Sequence, residues 1–156
     1  MKLSASDREL IILLNQDARM TSAEISRQLG VAERTVRNRI ARLINEGLIK
    51  LVAIVNPLDF GYDLIVDILC EVEVLQREAV IEALAQMPEI SYIAVSTGDQ
   101  DLSLRALFKN STDMHEFITT QLYRVPGIRR SRTVLVPRIV KDTHQWIPLV
   151  EDFHAD

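Results

Sequence analysis

The chain has 156 residues, 47% hydrophobic and 26% charged, an ordinary globular composition that leaves room for one domain or two small ones. Its single cysteine, Cys70, excludes an intramolecular disulfide framework and fits a reducing, cytoplasmic setting. The net charge of −4 divides unevenly, with nine basic and six acidic side chains in residues 1–55 against nine and sixteen in the rest. That split predicts two domains with different partners, the first suited to an anionic one. Lys2, Asp7, Arg8 and Glu9 precede any apolar run, the reverse of a secretory signal, and no stretch approaches the ~20 apolar residues of a membrane span.

Ser6-Asp7-Arg8-Glu9 reads as a capping box that opens a first helix, whose apolar stripe is Leu10, Ile11, Leu13 and Leu14. Thr21-Ser22-Ala23-Glu24 is a second box, with Ile25 and Leu29 on the buried face and Gly30 as the stop. A third helix is expected from about Ala32, with Val36, Ile40, Leu43 and Ile44 at spacings of three and four, ending at Gly47. Leu48 to Val55 reads as a strand. The second and third helices, separated by a glycine turn, make Thr21 to Gly47 a helix-turn-helix.

On that reading Arg34, Thr35, Arg37 and Asn38 lie outward near the N-terminal end of the third helix, where a recognition helix meets base edges. An arginine fork matches guanine and an asparagine amide matches adenine, because each supplies two hydrogen bonds in one plane. Arg39 and Arg42 lie further along and suit phosphates, which position without specifying. No carboxylate follows Arg34, Arg37 or Arg39 at i+4, so a merely solvated ion-paired face is the poorer account; Glu46 follows Arg42.

Asn56 to Tyr62 mixes turn residues with aromatics and marks the domain junction, leaving 1–55 as the DNA-binding domain and 63–156 as the second. Leu64 to Val74 alternates apolar and acidic residues, the period of a strand. A helix over Gln76–Met87, burying Val80, Ala83, Leu84 and Met87, leads to a strand over Ile90–Thr97. Gly98-Asp99-Gln100-Asp101 turns the chain into a strand over Leu102–Phe108. A helix from Thr112 to Arg124 and a strand from Ser131 to Val140 follow. The order βαββαβ is that of a ferredoxin-like unit, so the whole is an α+β protein. Both helices then cover one sheet face. The other face, with Ile65, Leu69, Tyr92, Leu107, Val134 and Val136, predicts self-association. The tail from Lys141 to Asp156 fits either a short closing helix or an interface arm.

Across most of its length the chain resembles the leucine- and asparagine-responsive (Lrp/AsnC, feast/famine) regulators. The resemblance lies in Asp7-Arg8-Glu9-Leu10-Ile11-Ile12-Leu13-Leu14, Leu29-Gly30-Val31, Val36 through Leu43, and Glu46-Gly47-Leu48-Ile49. It continues in Asn56-Pro57 to Gly61-Tyr62, Thr97 through Leu102, and Pro126-Gly127-Ile128 with Thr133. It implies a winged helix-turn-helix joined to a ferredoxin-like (RAM-type) domain, and homodimers assembling to octamers or related rings on pseudo-palindromic double-stranded DNA operators. It also implies a small effector, commonly an amino acid, bound near Gly98, Asp99 and Asp101 between second domains. An ammonium there suits Asp99 or Asp101, and a carboxylate suits backbone N–H groups at Gly98. Taken alone, the same four residues are ordinary hairpin chemistry, and Gln100 stands where relatives often carry an aromatic residue.

Two rival readings remain. Siroheme decarboxylases resemble these regulators, but their Ser-His-Asn-Tyr-x-Arg stretch is here Ser91-Tyr92-Ile93-Ala94-Val95-Ser96, without histidine or arginine. An amino-acid-binding module with a degenerate helix-turn-helix is the other. No catalytic or metal site is expected: His115, His144 and His154 are isolated, and Cys70 sits among core positions of a strand.

Overall fold

The computed structural model describes residues 3–141 and 146–154, which divide into two compact units. One takes the chain up to Ile54 together with the segment from Val140 onward, and the other runs from Val55 to Ile139. The tail therefore belongs with the first unit, not with the second as its sequence position suggested.

In the first unit three helices, α1 (Ala5–Gln16), α2 (Ser22–Leu29) and α3 (Glu33–Asn45), bury Leu10, Leu14, Ile25, Val36 and Leu43 against one another. The box at Thr21 is as expected, with Thr21 Oγ1 accepting from Glu24 N and Glu24 Oε2 accepting from Thr21 N. The first box is not: Ser4 is the N-cap, its Oγ accepting from Asp7 N, while Asp7 Oδ2 accepts from Ser4 N. The start moves forward because Asp7 also reaches across the unit, its Oδ1 accepting from Arg42 Nη2 at 2.6 Å.

Leu48–Val55 forms no strand. A strand needs a neighbour to take its N–H and C=O groups, and among the described residues the segment has none, so Leu51, Val52, Ile54 and Val55 stay exposed. The described end of the tail makes a short 3-10 turn over Val150–Asp152 and then docks at the start of α1. His154 N donates to Leu3 O and Ala5 N donates to His154 O, both at 2.8 Å, so a single bridge joins the two ends of the chain. Phe153 is buried beside it, with the Arg8 guanidinium 6.0 Å from its ring centre. Residues 142–145, His144 among them, and 155–156 fall outside the described residues.

The second unit holds β1 (Leu64–Val72), α4 (Arg77–Ala85), β2 (Ile90–Val95), β3 (Leu102–Phe108), α5 (Ser111–Glu116) and β4 (Ile128–Leu135). The strands form one antiparallel sheet in the order β2-β3-β1-β4, as a split βαβ pair requires. Val66, Ile68, Cys70 and Val72 of β1 meet Leu102, Leu104, Ala106 and Phe108 of β3 beneath Val80, Leu84, Phe117 and Leu122. Burial pushes the Cys70 thiol up to about 11, so it packs as a small hydrophobe.

Several element ends differ from expectation. Val74 lies beyond β1 in a short 3-10 turn and is 77% exposed, and Ala83 is exposed as well. The helix expected to run to Arg124 is α5 followed by a π-turn over Phe117–Gln121 and a 3-10 turn over Leu122–Arg124. β4 begins earlier because Gly127, at φ +97°, lets the chain pass close to the start of α4. A Cβ there would lie 2.8 Å from that of Gln76, which the turn cannot accommodate.

The open sheet face carries the expected apolar residues, Tyr92 being 56% exposed, but it is not uniformly apolar. Arg105 of β3 makes a two-pronged pair with Asp67 of β1, at 2.8 and 3.1 Å. Arg132 stands opposite Leu69. Alternation alone assigned the face, and the charged residues sharing its period were overlooked.

Candidate nucleic-acid interface

The turn between α2 and α3 is held by short-range bonds. Gly30 caps α2 in the left-handed region at φ +65°, a conformation that costs a side chain with a Cβ. Val31 N then donates to Ser26 O at 3.3 Å, while Ser26 Oγ donates to Val31 O at 2.6 Å. Ser26 is a determinant that pattern reading passed over. Its signal is a hydroxyl one turn before a glycine stop, common enough to go unnoticed.

With the turn fixed, Val36 and Leu43 anchor α3 in the core, and the candidate residues separate into distinct environments. Arg34 and Asn38 are exposed and make no side-chain hydrogen bond or ion pair among the described residues. Thr35 is half-buried beside them. Arg37 is exposed but paired with Glu33 one turn earlier, an i−4 partner that a search for carboxylates at i+4 could not find. Arg39 is half-buried, with Nη1 shielded and unpartnered among the described residues.

Arg42 departs furthest from its predicted role. Its Nη2 binds Asp7, which is only 2% exposed, while the Arg42 side chain itself stays 38% exposed. Burial alone would raise the Asp7 pKa. The hydrogen bonds from Arg42 and Ser4, with the Arg42 charge, outweigh it and hold the carboxyl below its ordinary 3.8. Arg42 is thus a positioning residue that ties α3 to α1.

The N-terminus of α3 adds a donor set that the side-chain search missed. Its N-cap is Ala32, which cannot bond the first-turn N–H groups, whereas α1 and α2 are both closed by capping boxes. An uncapped helix start beside free Arg34 is a good seat for a phosphate oxygen.

At the far end of the second unit, Gly98 and Asp99 are exposed in the turn between β2 and β3. Asp101 is not free in the same way. Its Oδ2 accepts from Val72 N at 2.8 Å, beyond the last β1–β3 pair, and its backbone N donates to Cys70 O. The structure therefore brings Gly98 and Asp99 together and ties Asp101 to the end of β1.

Residues 3–50 match the model of a winged helix-turn-helix DNA-binding domain, and residues 65–146 match that of the Lrp/AsnC ligand binding domain. The chain is a member of the Lrp/AsnC family of transcriptional regulators. It is 34% identical over 142 residues to a helix-turn-helix-type transcriptional regulator of Pyrococcus abyssi, covering 90% of each chain. It is 33% identical over 138 residues to the regulator FL11 of Pyrococcus furiosus, covering 88% of this chain and 91% of that one.

Solved structures agree in fold. A transcriptional regulator of Neisseria meningitidis, solved as a complex with L-Met, superposes with a TM-score of 0.89 at 21% identity, covering 96% of this chain and 99% of that one. AsnC of E. coli superposes with a TM-score of 0.86 at 20% identity, covering 92% and 99%. The Lrp/AsnC protein described here is a DNA-binding transcriptional regulator, and the names its relatives carry are those of regulators, not enzymes. Among the described residues no helix is long and apolar enough to cross a membrane.

Proposed function

We propose that this regulator reads a pseudo-palindromic operator through the first turns of α3, with Arg34 and Asn38 at base edges and Arg37 beside them. Thr35 and Arg39 lie closer to the backbone, as does the uncapped helix start. The observation that carries this reading is that Arg34 and Asn38 are both exposed and, among the described residues, unpartnered, on a helix end whose N-cap Ala32 makes no side-chain bond. Selection from a randomised duplex pool should return two half-sites about 34 Å apart, bound more weakly as salt rises. Recovery of no shared motif would defeat the sequence-reading proposal.

Two-fold operators imply two-fold protein symmetry, and each unit has apolar surface to offer a second copy, the first at exposed Leu51, Val52 and Ile54 and the second on its open sheet face. Sedimentation at micromolar concentration should show a dimer or a larger even assembly; a monomer would contradict this. The effector reading places an amino acid at Gly98 and Asp99. The ligand of the Neisseria regulator supports that class, and Asp101 orders the turn. A thermal-shift panel of the twenty amino acids, repeated with operator present, should show at least one responder. Silence across the panel in both assays would end the effector reading.

A further inference from the structure

A cavity of about 400 Å³ lies in the second unit, lined by Tyr62, Glu89, Lys109, Asp113, Glu116 and Gln121 among others. It is at the opposite end of the sheet from the Gly98 turn. Leu107 N donates to Glu89 O at 2.9 Å, so Glu89 sits beside the end of β3, about 17 Å along the strand from Leu102. The effector reading of the turn has no bearing on it.

The lining is unbalanced in charge. Three carboxylates face one ammonium, and none of the four groups makes an ion pair among the described residues. Asp113 is engaged in closing α5, its Oδ2 accepting from Asn110 Nδ2 at 3.0 Å. Glu89 and Glu116 have no such engagement. Glu89 Oε2 is shielded from solvent without a hydrogen-bond partner among the described residues, an arrangement that a donor arriving in the cavity would relieve.

The wall already holds a cation of the right kind. Lys109 Nζ stands 5.4 Å from the centre of the Tyr62 ring, so this aromatic face accepts an ammonium. Phe117, packed against Phe108 at 5.3 Å between centres, forms the buried floor beneath these polar groups. Phe117 and Gln121 bound the π-turn, and insertions of this type concentrate at functional sites.

We propose that this cavity binds a small organic cation, a short-chain diammonium, with Glu89 and Glu116 as counter-ions and Tyr62 as its aromatic wall. The volume suits a molecule of a few carbons, and the excess of carboxylates selects against anions.

The test is calorimetric titration of the full-length protein with cadaverine, and with glutarate as an anion of the same length. Saturable binding of cadaverine, without glutarate binding, is expected. Glu89→Gln keeps the shape and removes the charge, and should weaken cadaverine about tenfold or more. Glu116→Gln, at an exposed position with no risk to the fold, should weaken it as well. Lys109→Met removes the resident ammonium and should tighten binding, whereas Asp99→Asn at the turn should leave it unchanged. The proposal is overturned if wild-type protein takes up no cadaverine at millimolar concentration. It is also overturned if a folded Glu89→Gln variant binds like wild type, or if Asp99→Asn abolishes binding.

Discussion

Arg34→Ala should weaken operator binding about a hundredfold or more, with the fold and assembly unchanged. A two-pronged contact to a base edge contributes roughly 1–3 kcal/mol, and a two-fold operator engages the residue twice. The side chain is exposed and has no ion pair among the described residues, so nothing inside the protein depends on it. Arg37→Ala should weaken specific binding less, by about tenfold, because Glu33 competes with DNA for that guanidinium. Glu33→Gln should for the same reason tighten binding to operator and to unrelated duplex alike. Fluorescence anisotropy on operator and scrambled duplex at one salt concentration separates these cases. Equal affinity of Arg34→Ala and wild type for the operator would remove the first turn of α3 from the reading face.

Asp7→Ala should lower the stability of the first unit by about 2–3 kcal/mol, as measured by denaturant unfolding followed on that unit. Breaking a buried ion pair typically costs about 3–5 kcal/mol, and the lower figure allows for Arg42 being 38% exposed. The same substitution removes the carboxylate that closes the start of α1. Because the folded pKa of Asp7 lies below the ordinary 3.8, its contribution is complete above that value and fades as pH falls through the folded pKa. The wild-type unit should therefore lose stability in acid below about pH 4, and Asp7→Ala should flatten that loss. A variant with unchanged stability and unchanged acid sensitivity would show that the Asp7–Arg42 bond holds nothing. DNA affinity in Arg42 variants should fall in step with unfolding, unlike that of Arg34→Ala.

The contrast between Arg34 and Arg42 shows where sequence reading works and where it stops. Helical period placed both outside the Val36–Ile40–Leu43 stripe, and both are indeed off the core. Period cannot report that Arg42 meets a carboxylate thirty-five residues away. The Glu33 partner of Arg37 was legible, since it lies within the same helix, but only to a search in both directions. At the turn, Asp99 was readable as an exposed residue, while the bond from Val72 N to Asp101 joins strands far apart in sequence.

What the amino-acid order determined by itself is the set of elements and their kind. Capping at Thr21, the glycine stop at Gly30, the alternation in β1 and the span of β3 are local signals, set by neighbouring backbone groups and by which side of a helix or strand is apolar. Tertiary structure decided the rest. It tied Arg42 to Asp7, returned the tail from Val140 to the first unit, left Leu48–Val55 without a strand partner among the described residues and put the Asp67–Arg105 pair on a face expected to be apolar. Each of these depends on a partner distant in the chain or missing from it, and a hydrogen bond or ion pair has no address until both of its ends are placed.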